Sequence, residues 1–115
     1  MKDAWSFPGL VESAASNRTK FETDGFVVLG QIVDPSRLDL MREHFSAVFR
    51  GEYETGNLPD SALWQEGTSL PHLPRFMANS WKSDLTFARF VLSPTLAQAA
   101  AVLMDHQSGV DARLK

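Results

Sequence analysis

A short apolar run followed by a well-punctuated helical stripe most constrains what this chain can fold into. Phe26-Val27-Val28-Leu29 lies between Gly25 and Gly30, and Asp34-Pro35 then opens a segment in which Leu38, Met41, Phe45, Val48 and Phe49 recur three and four residues apart. That period puts the five side chains on one face of a helix. Asp34 is placed to accept from the free N–H groups of the first turn, and Pro35 at the first helical position gives up an N–H that had no partner. Gly51 supplies the stop. Upstream, Thr19 to Asp24 reads as a short helix ended by Gly25, which takes a positive φ at little steric cost. Phe26 to Leu29 reads as a strand.

The rest of the chain is less regular. Pro8-Gly9 mark a turn and Leu10 to Ala15 make at most one loose helical turn, so residues 1–18 are expected as a loosely ordered tail and residues 19–115 as the domain. Between Gly51 and Asn79, the breaks at Gly56, Pro59, Gly67, Pro71 and Pro74 exclude a long regular element. A connection of this length is usually a functional loop or a packed irregular one, and Tyr53, Leu58, Leu63, Trp64, Leu70, Leu73 and Phe76 are apolar residues that can pin it down. Leu85, Ala88, Val91 and Leu92 then have helical spacing. Ser93-Pro94 closes that helix and opens the next, where Leu96, Ala100 and Leu103 share a face and the small residues 97–101 permit close packing. Val110, Ala112 and Leu114 alternate as the start of a strand. The expected class is α+β, mainly helical, with about four helices and one or two short strands.

Charge and composition narrow the partners. The net charge of −3 comes from eleven basic and fourteen acidic residues that are interspersed, so there is no basic stripe to neutralise phosphates, and nucleic acid is not expected. No apolar run reaches the ~18 residues a membrane helix needs, and the opening Met1-Lys2-Asp3-Ala4-Trp5 lacks the apolar core of a secretory signal. The expectation is a cytoplasmic protein with no membrane partner. The absence of cysteine removes disulfides, thiolate nucleophiles and Cys-ligated metal sites.

Three histidines bear on metal chemistry. A facial triad for non-haem iron takes two His and one carboxylate, most compactly with His and an acid two apart on a strand. The residues two after His44, His72 and His106 are Ser46, Pro74 and Ser108, and no His lies three or four from another. No catalytic and no metal-binding residue is therefore assigned. His44, at the edge of the apolar stripe between Met41 and Val48, reads as a packing or surface residue. His72, near Pro71 and Pro74 in the irregular loop, could line a pocket, since functional residues favour positioned loops, and His106 beside Asp105 forms a local pair that could fix a turn. Glu52, Glu54, Asp60 and Glu66 could serve as paired carboxylates for acid–base work, but in a polar loop they read as solvated. Trp64, Phe76 and Trp81 could wall a pocket, although anchoring the long loop is the simpler role. The residues singled out for a pocket or for loop anchoring are Trp64, His72 and Trp81.

Several stretches, taken in order, resemble a known family. Phe21-Glu22-Thr23-Asp24-Gly25-Phe26-Val27-Val28-Leu29, residues 49–59, Trp64-Gln65-Glu66-Gly67, Asn79-Ser80-Trp81-Lys82-Ser83-Asp84 and Val91-Leu92-Ser93-Pro94 look like the amino-terminal half of phytanoyl-CoA dioxygenase-like proteins. The resemblance runs from about Lys20 to Met104. It implies relatives that are Fe(II)- and 2-oxoglutarate-dependent oxygenases with a double-stranded β-helix, or jelly-roll, core. It also implies helices that buttress the major sheet and a 51–79 loop near the substrate mouth. In that family the iron-binding His-x-Asp follows the strand after the helix matched here by residues 96–104, and a later His and a 2-oxoglutarate-binding Arg lie further on. None of these has a counterpart here. The expectation is a truncated member: residues 19–115 form an incomplete domain without the metal-binding core, inactive alone and binding neither Fe(II) nor 2-oxoglutarate by itself. Strand edges and apolar helix faces left uncovered would favour self-association or a complementing polypeptide. The alternative is a small non-catalytic binding or protein-interaction module built on the same helices and the Trp64/Trp81 region.

Overall fold

Apolar stripes on short helices can be buried only against one another, and the chain does this in two separate units. The computed structural model describes residues 1–104, divided into Met1–Asp34 with the chain from Leu92, and Pro35–Val91. The class is α+β, with five α-helices and one two-stranded antiparallel sheet among the described residues.

The first unit holds α1 (Leu10–Ser16), α2 (Arg18–Asp24) and α5 (Pro94–Met104). α1 packs on α5 with α2 beside them, and Ala14 on α1 and Ala99 on α5 are both buried, as small side chains allow where helix axes approach closely. Ser93 caps α5: its Oγ accepts from the Leu96 N–H at 3.4 Å, and Pro94 takes the first helical position. α2 ends at Gly25, whose φ of 81° is the left-handed turn glycine permits, with its N–H donated to the Phe21 carbonyl at 2.8 Å.

Two expectations for this unit are corrected. Residues 1–18 are not a loose tail: Trp5, Phe7 and Leu10 are buried, and α1 is a full helix. Three large apolar side chains within six residues supply enough buried surface to order the segment. The expected strand over Phe26–Leu29 is not formed. No backbone hydrogen bond is made by 26–30 among the described residues, and Phe26 and Val28 stand 64% and 80% exposed. A strand exists only through its neighbour, and apolar alternation alone does not provide one.

The second unit is built on α3 (Pro35–Phe49) and α4 (Leu85–Val91), which pack together, with the long loop folded between them. α3 starts at Pro35 as expected, and Gly51 beyond its end has φ 81°. Its apolar stripe is unevenly used. Val48 and Phe49 are buried, Leu38 and Met41 half-buried, and Phe45 43% exposed although its ring meets Phe49 edge-on at 4.9 Å. The core is thus the carboxyl-terminal end of α3, where Val48, Phe49 and Trp64 meet Tyr53, Met77 and Phe87.

The 51–79 connection is packed, not free. β1 (Ser61–Ala62) pairs antiparallel with β2 (Met77–Ala78) in the register Ser61 to Ala78 and Ala62 to Met77. A ladder of two residues per strand carries no readable period, which is why the sheet sits where no strand is legible. The Thr55 hydroxyl donates to the Lys82 carbonyl at 2.6 Å, the Thr55 N–H to Ser83, and the Glu66 N–H to Phe49 at 3.0 Å. Asp60 accepts from Lys82 Nζ at 2.7 Å and from the Asn79 amide.

Those two donors, Lys82 first, hold the Asp60 carboxyl below the ordinary carboxylate range. A depressed folded-state value means that the contact stabilises the fold above the unfolded value near ~3.9 and is lost as pH falls through the folded value. Replacing Lys82 with Met is expected to move the Asp60 titration back up toward the ordinary range. An NMR titration of the Asp60 carboxyl checks this, and an unmoved midpoint would remove Lys82 as the cause.

The stretch Leu85–Met104, covering α4 and α5, has a mean hydropathy of 1.4 and meets the length and composition of a membrane span, contrary to the reading that no apolar run is long enough. Ser93-Pro94 divides it into two helices. The His106–Asp105 pair and the strand beginning at Val110 lie outside the described residues.

Candidate functional site

Asp84 precedes α4 and does what an acid in that position can: its Oδ1 accepts from the Phe87 N–H at 3.1 Å, capping the helix. The second oxygen, Oδ2, faces His44 Nδ1 at 2.6 Å, and the Asp84 side chain is only 2% exposed. Glu54, from the loop after α3, brings Oε1 to 3.9 Å from the same Nδ1 and accepts from the Leu85 N–H at 2.5 Å. The first turn of α4 thus places two carboxylates by their hydrogen bonds to its free N–H groups, where the helix dipole favours negative charge.

His44 reaches this point because α3 packs on α4. Its other ring nitrogen, Nε2, lies 3.4 Å from the Thr86 hydroxyl. Asp84, His44 and Thr86 therefore have the connectivity of an acid–base–nucleophile relay. Thr86 is almost completely buried, so its hydroxyl has no route to a substrate and serves to orient the ring. The accessible groups are the imidazole, one quarter exposed, and Glu54.

His44, Glu54 and Asp84 line an open pocket of about 340 Å³ with Ala47, Glu52 and Tyr53. One ligand atom from each of the three lies within 4.8 Å of the others. Three carboxylates and one imidazole make this an environment for a cation or a hydrogen-bond donor. Beside the pocket, Ser83 is fully buried and its Oγ has no partner among the described residues. A buried hydroxyl without a partner costs stability, so Ser83→Ala is expected to be neutral or to stabilise by up to roughly 1 kcal/mol. Urea unfolding checks the sign, and a clear loss would mean that the hydroxyl is satisfied in solution.

The residues singled out in the sequence do not meet at this pocket. Trp64 is buried against Phe49, with its Nε1–H donated to the Leu70 carbonyl at 2.9 Å and the Arg75 guanidinium 4.1 Å above its ring. That is the geometry of an anchor. His72 is exposed and outside the group, and Trp81 is half-buried and bonds locally to Asn79 Oδ1 at 3.3 Å. Glu52 and Glu66 lie beside Arg50, and Asp60 beside Lys82, as solvent-exposed ion pairs. Glu54, by sequence a solvated loop acid, and His44, by sequence a packing or surface residue, are the two groups of the site that solvent reaches. Trp81-Lys82-Ser83-Asp84 before the Leu85 helix held a signal for Asp84, since an Asp just ahead of an apolar-periodic segment is a capping residue. Nothing local pairs position 44 with position 84. No protein-family model, no curated protein and no solved structure matches the chain.

Proposed function

We propose that the chain has the amino-terminal architecture of a phytanoyl-CoA dioxygenase-like protein, with Pro35–Val91 acting as a ligand-binding wall and not as a self-sufficient catalytic centre. Convergence carries the reading. Two of the resembling stretches, 49–59 and 79–84, supply Glu52, Tyr53, Glu54 and Asp84 to one pocket, whose volume falls among those of small-molecule sites. Hydrogen bonds from Thr55 to Lys82 and Ser83, and from Glu66 to Phe49, join 49–59, 64–67 and 79–84 into one unit.

The family's iron does not fit the residues present. Its facial triad takes two imidazoles and one carboxylate, whereas the described residues bring together one imidazole and two carboxylates. The sequence contains no His-x-Asp or His-x-Glu. No oxidative step is therefore assigned to residues 1–115, and we propose a complementing polypeptide as one source of the Fe(II) and 2-oxoglutarate centre. The exposed Phe26 and Val28 side chains offer such a partner an apolar surface to cover.

Anaerobic calorimetry with 2-oxoglutarate in the presence of Fe(II) tests this. The chain alone is expected to show no 2-oxoglutarate binding. Co-expression with a polypeptide that carries His-x-Asp and a later His and Arg is expected to give a complex that consumes 2-oxoglutarate. Stoichiometric 2-oxoglutarate binding by the chain alone, or no complex with such a polypeptide, would count against the reading.

A further inference from the structure

We infer that His44, Glu54 and Asp84 form a binding site for a first-row transition-metal dication of the zinc type, separate from any iron and 2-oxoglutarate centre. The three donors offer Nδ1 and two carboxylate oxygens, with Nδ1 2.6 Å from Asp84 Oδ2 and 3.9 Å from Glu54 Oε1. All three lie within 4.8 Å of one another. A dication bound at about 2.0–2.2 Å from each donor holds its ligands roughly 3–4.4 Å apart. The cluster is therefore close to that spacing already. Binding displaces the proton shared by His44 and Asp84, and Glu54, 39% exposed on the solvent side, closes the longer distance.

The atoms behind the ligands argue for a site that is already organised. Metal-binding imidazoles and carboxylates are usually held by outer hydrogen bonds that fix their orientation. Here Asp84 Oδ1 is held by the Phe87 N–H, Glu54 Oε1 accepts from the Leu85 N–H, and His44 Nε2 faces the Thr86 hydroxyl. Once the proton between His44 and Asp84 is displaced, Nε2 keeps its hydrogen toward Thr86 and Nδ1 presents the lone pair to the metal. All three outer partners belong to the first turn of α4, so the ligands are oriented by one rigid element. The pocket is open, which leaves room for water at the remaining coordination position. One nitrogen and two oxygens suit zinc or its first-row neighbours, whereas magnesium and calcium favour oxygen ligands throughout.

The test uses Zn²⁺ as the probe on the full chain, by competition with a chromophoric chelator and by thermal unfolding with and without the ion. The wild type is expected to take up one equivalent and to unfold at a higher temperature in excess Zn²⁺. His44→Gln and Glu54→Gln are each expected to weaken uptake by roughly tenfold or more, as is Asp84→Asn, which keeps a side-chain oxygen able to cap α4. Glutamine at 54 likewise keeps a carbonyl for the Leu85 N–H, and circular dichroism confirms that each variant is folded. His72→Asn, which alters an exposed histidine away from the pocket, is expected to bind as the wild type does. No stoichiometric uptake by the wild type, unchanged affinity in folded Glu54→Gln, or loss of uptake in His72→Asn would each overturn the assignment. Zinc uptake is read without 2-oxoglutarate, so its outcome is independent of the dioxygenase-like reading.

Discussion

Trp64→Ala is expected to destabilise the Pro35–Val91 unit by about 3–5 kcal/mol, the range for emptying a buried aromatic site. The indole is nearly fully buried, meets Phe49 edge-on at 5.9 Å, donates to the Leu70 carbonyl and carries Arg75 on its face. Small domains hold only about 5–15 kcal/mol in total, so the loss leaves the unit marginal or unfolded at room temperature. Trp64→Phe separates the contributions. It retains most of the packing and forfeits the hydrogen bond, and because Leu70 is exposed, water can satisfy the freed carbonyl at a cost of about 1 kcal/mol. Urea unfolding followed by circular dichroism reads both. An alanine penalty below that of phenylalanine would mean that the loop is held elsewhere.

The second large effect falls on Asp84. Asp84→Ala removes the cap of α4 and the partner of His44 together, and about 3 kcal/mol is expected. The full cost of breaking a buried pair does not apply, because His44 is one quarter exposed and water reaches it. Asp84→Asn keeps the acceptor for the Phe87 N–H and is expected to cost about 1 kcal/mol. A double-mutant cycle with His44→Ala isolates the pair itself. If Asn were as costly as Ala, the charge on Asp84 and not its capping oxygen would be the dominant contribution.

Local signals carried well where the cause was local. Pro35, Gly25 and Ser93-Pro94 mark real helix ends, because capping, a left-handed glycine and the restriction before proline act within a few residues. The same locality explains the failures. Phe26–Leu29 has strand composition and no strand to pair with among the described residues, while Ser61–Ala62 and Met77–Ala78 pair across a long loop with no composition that marks them. Trp5, Phe7 and Leu10 read as part of a tail because their burial depends on a unit completed by α5, more than eighty residues later.

The candidate site divides along the same line. Asp84 could be read as a helix cap from its place before Leu85, and the paired acids of the loop were visible as composition. That Glu54 alone among them turns to the α4 terminus, and that His44 meets Asp84 forty residues away, depends on α3 packing against α4. The sequence by itself determined the stop of α2 at Gly25, the positions of α3, α4 and α5, the mainly helical α+β class and the need to anchor a long apolar-studded loop, since capping, steric restriction and side-chain periodicity are short-range. Only the tertiary structure decided which strands form, which tryptophan anchors and which histidine gains two carboxylate neighbours, since each depends on a partner distant in the chain and brought close by packing.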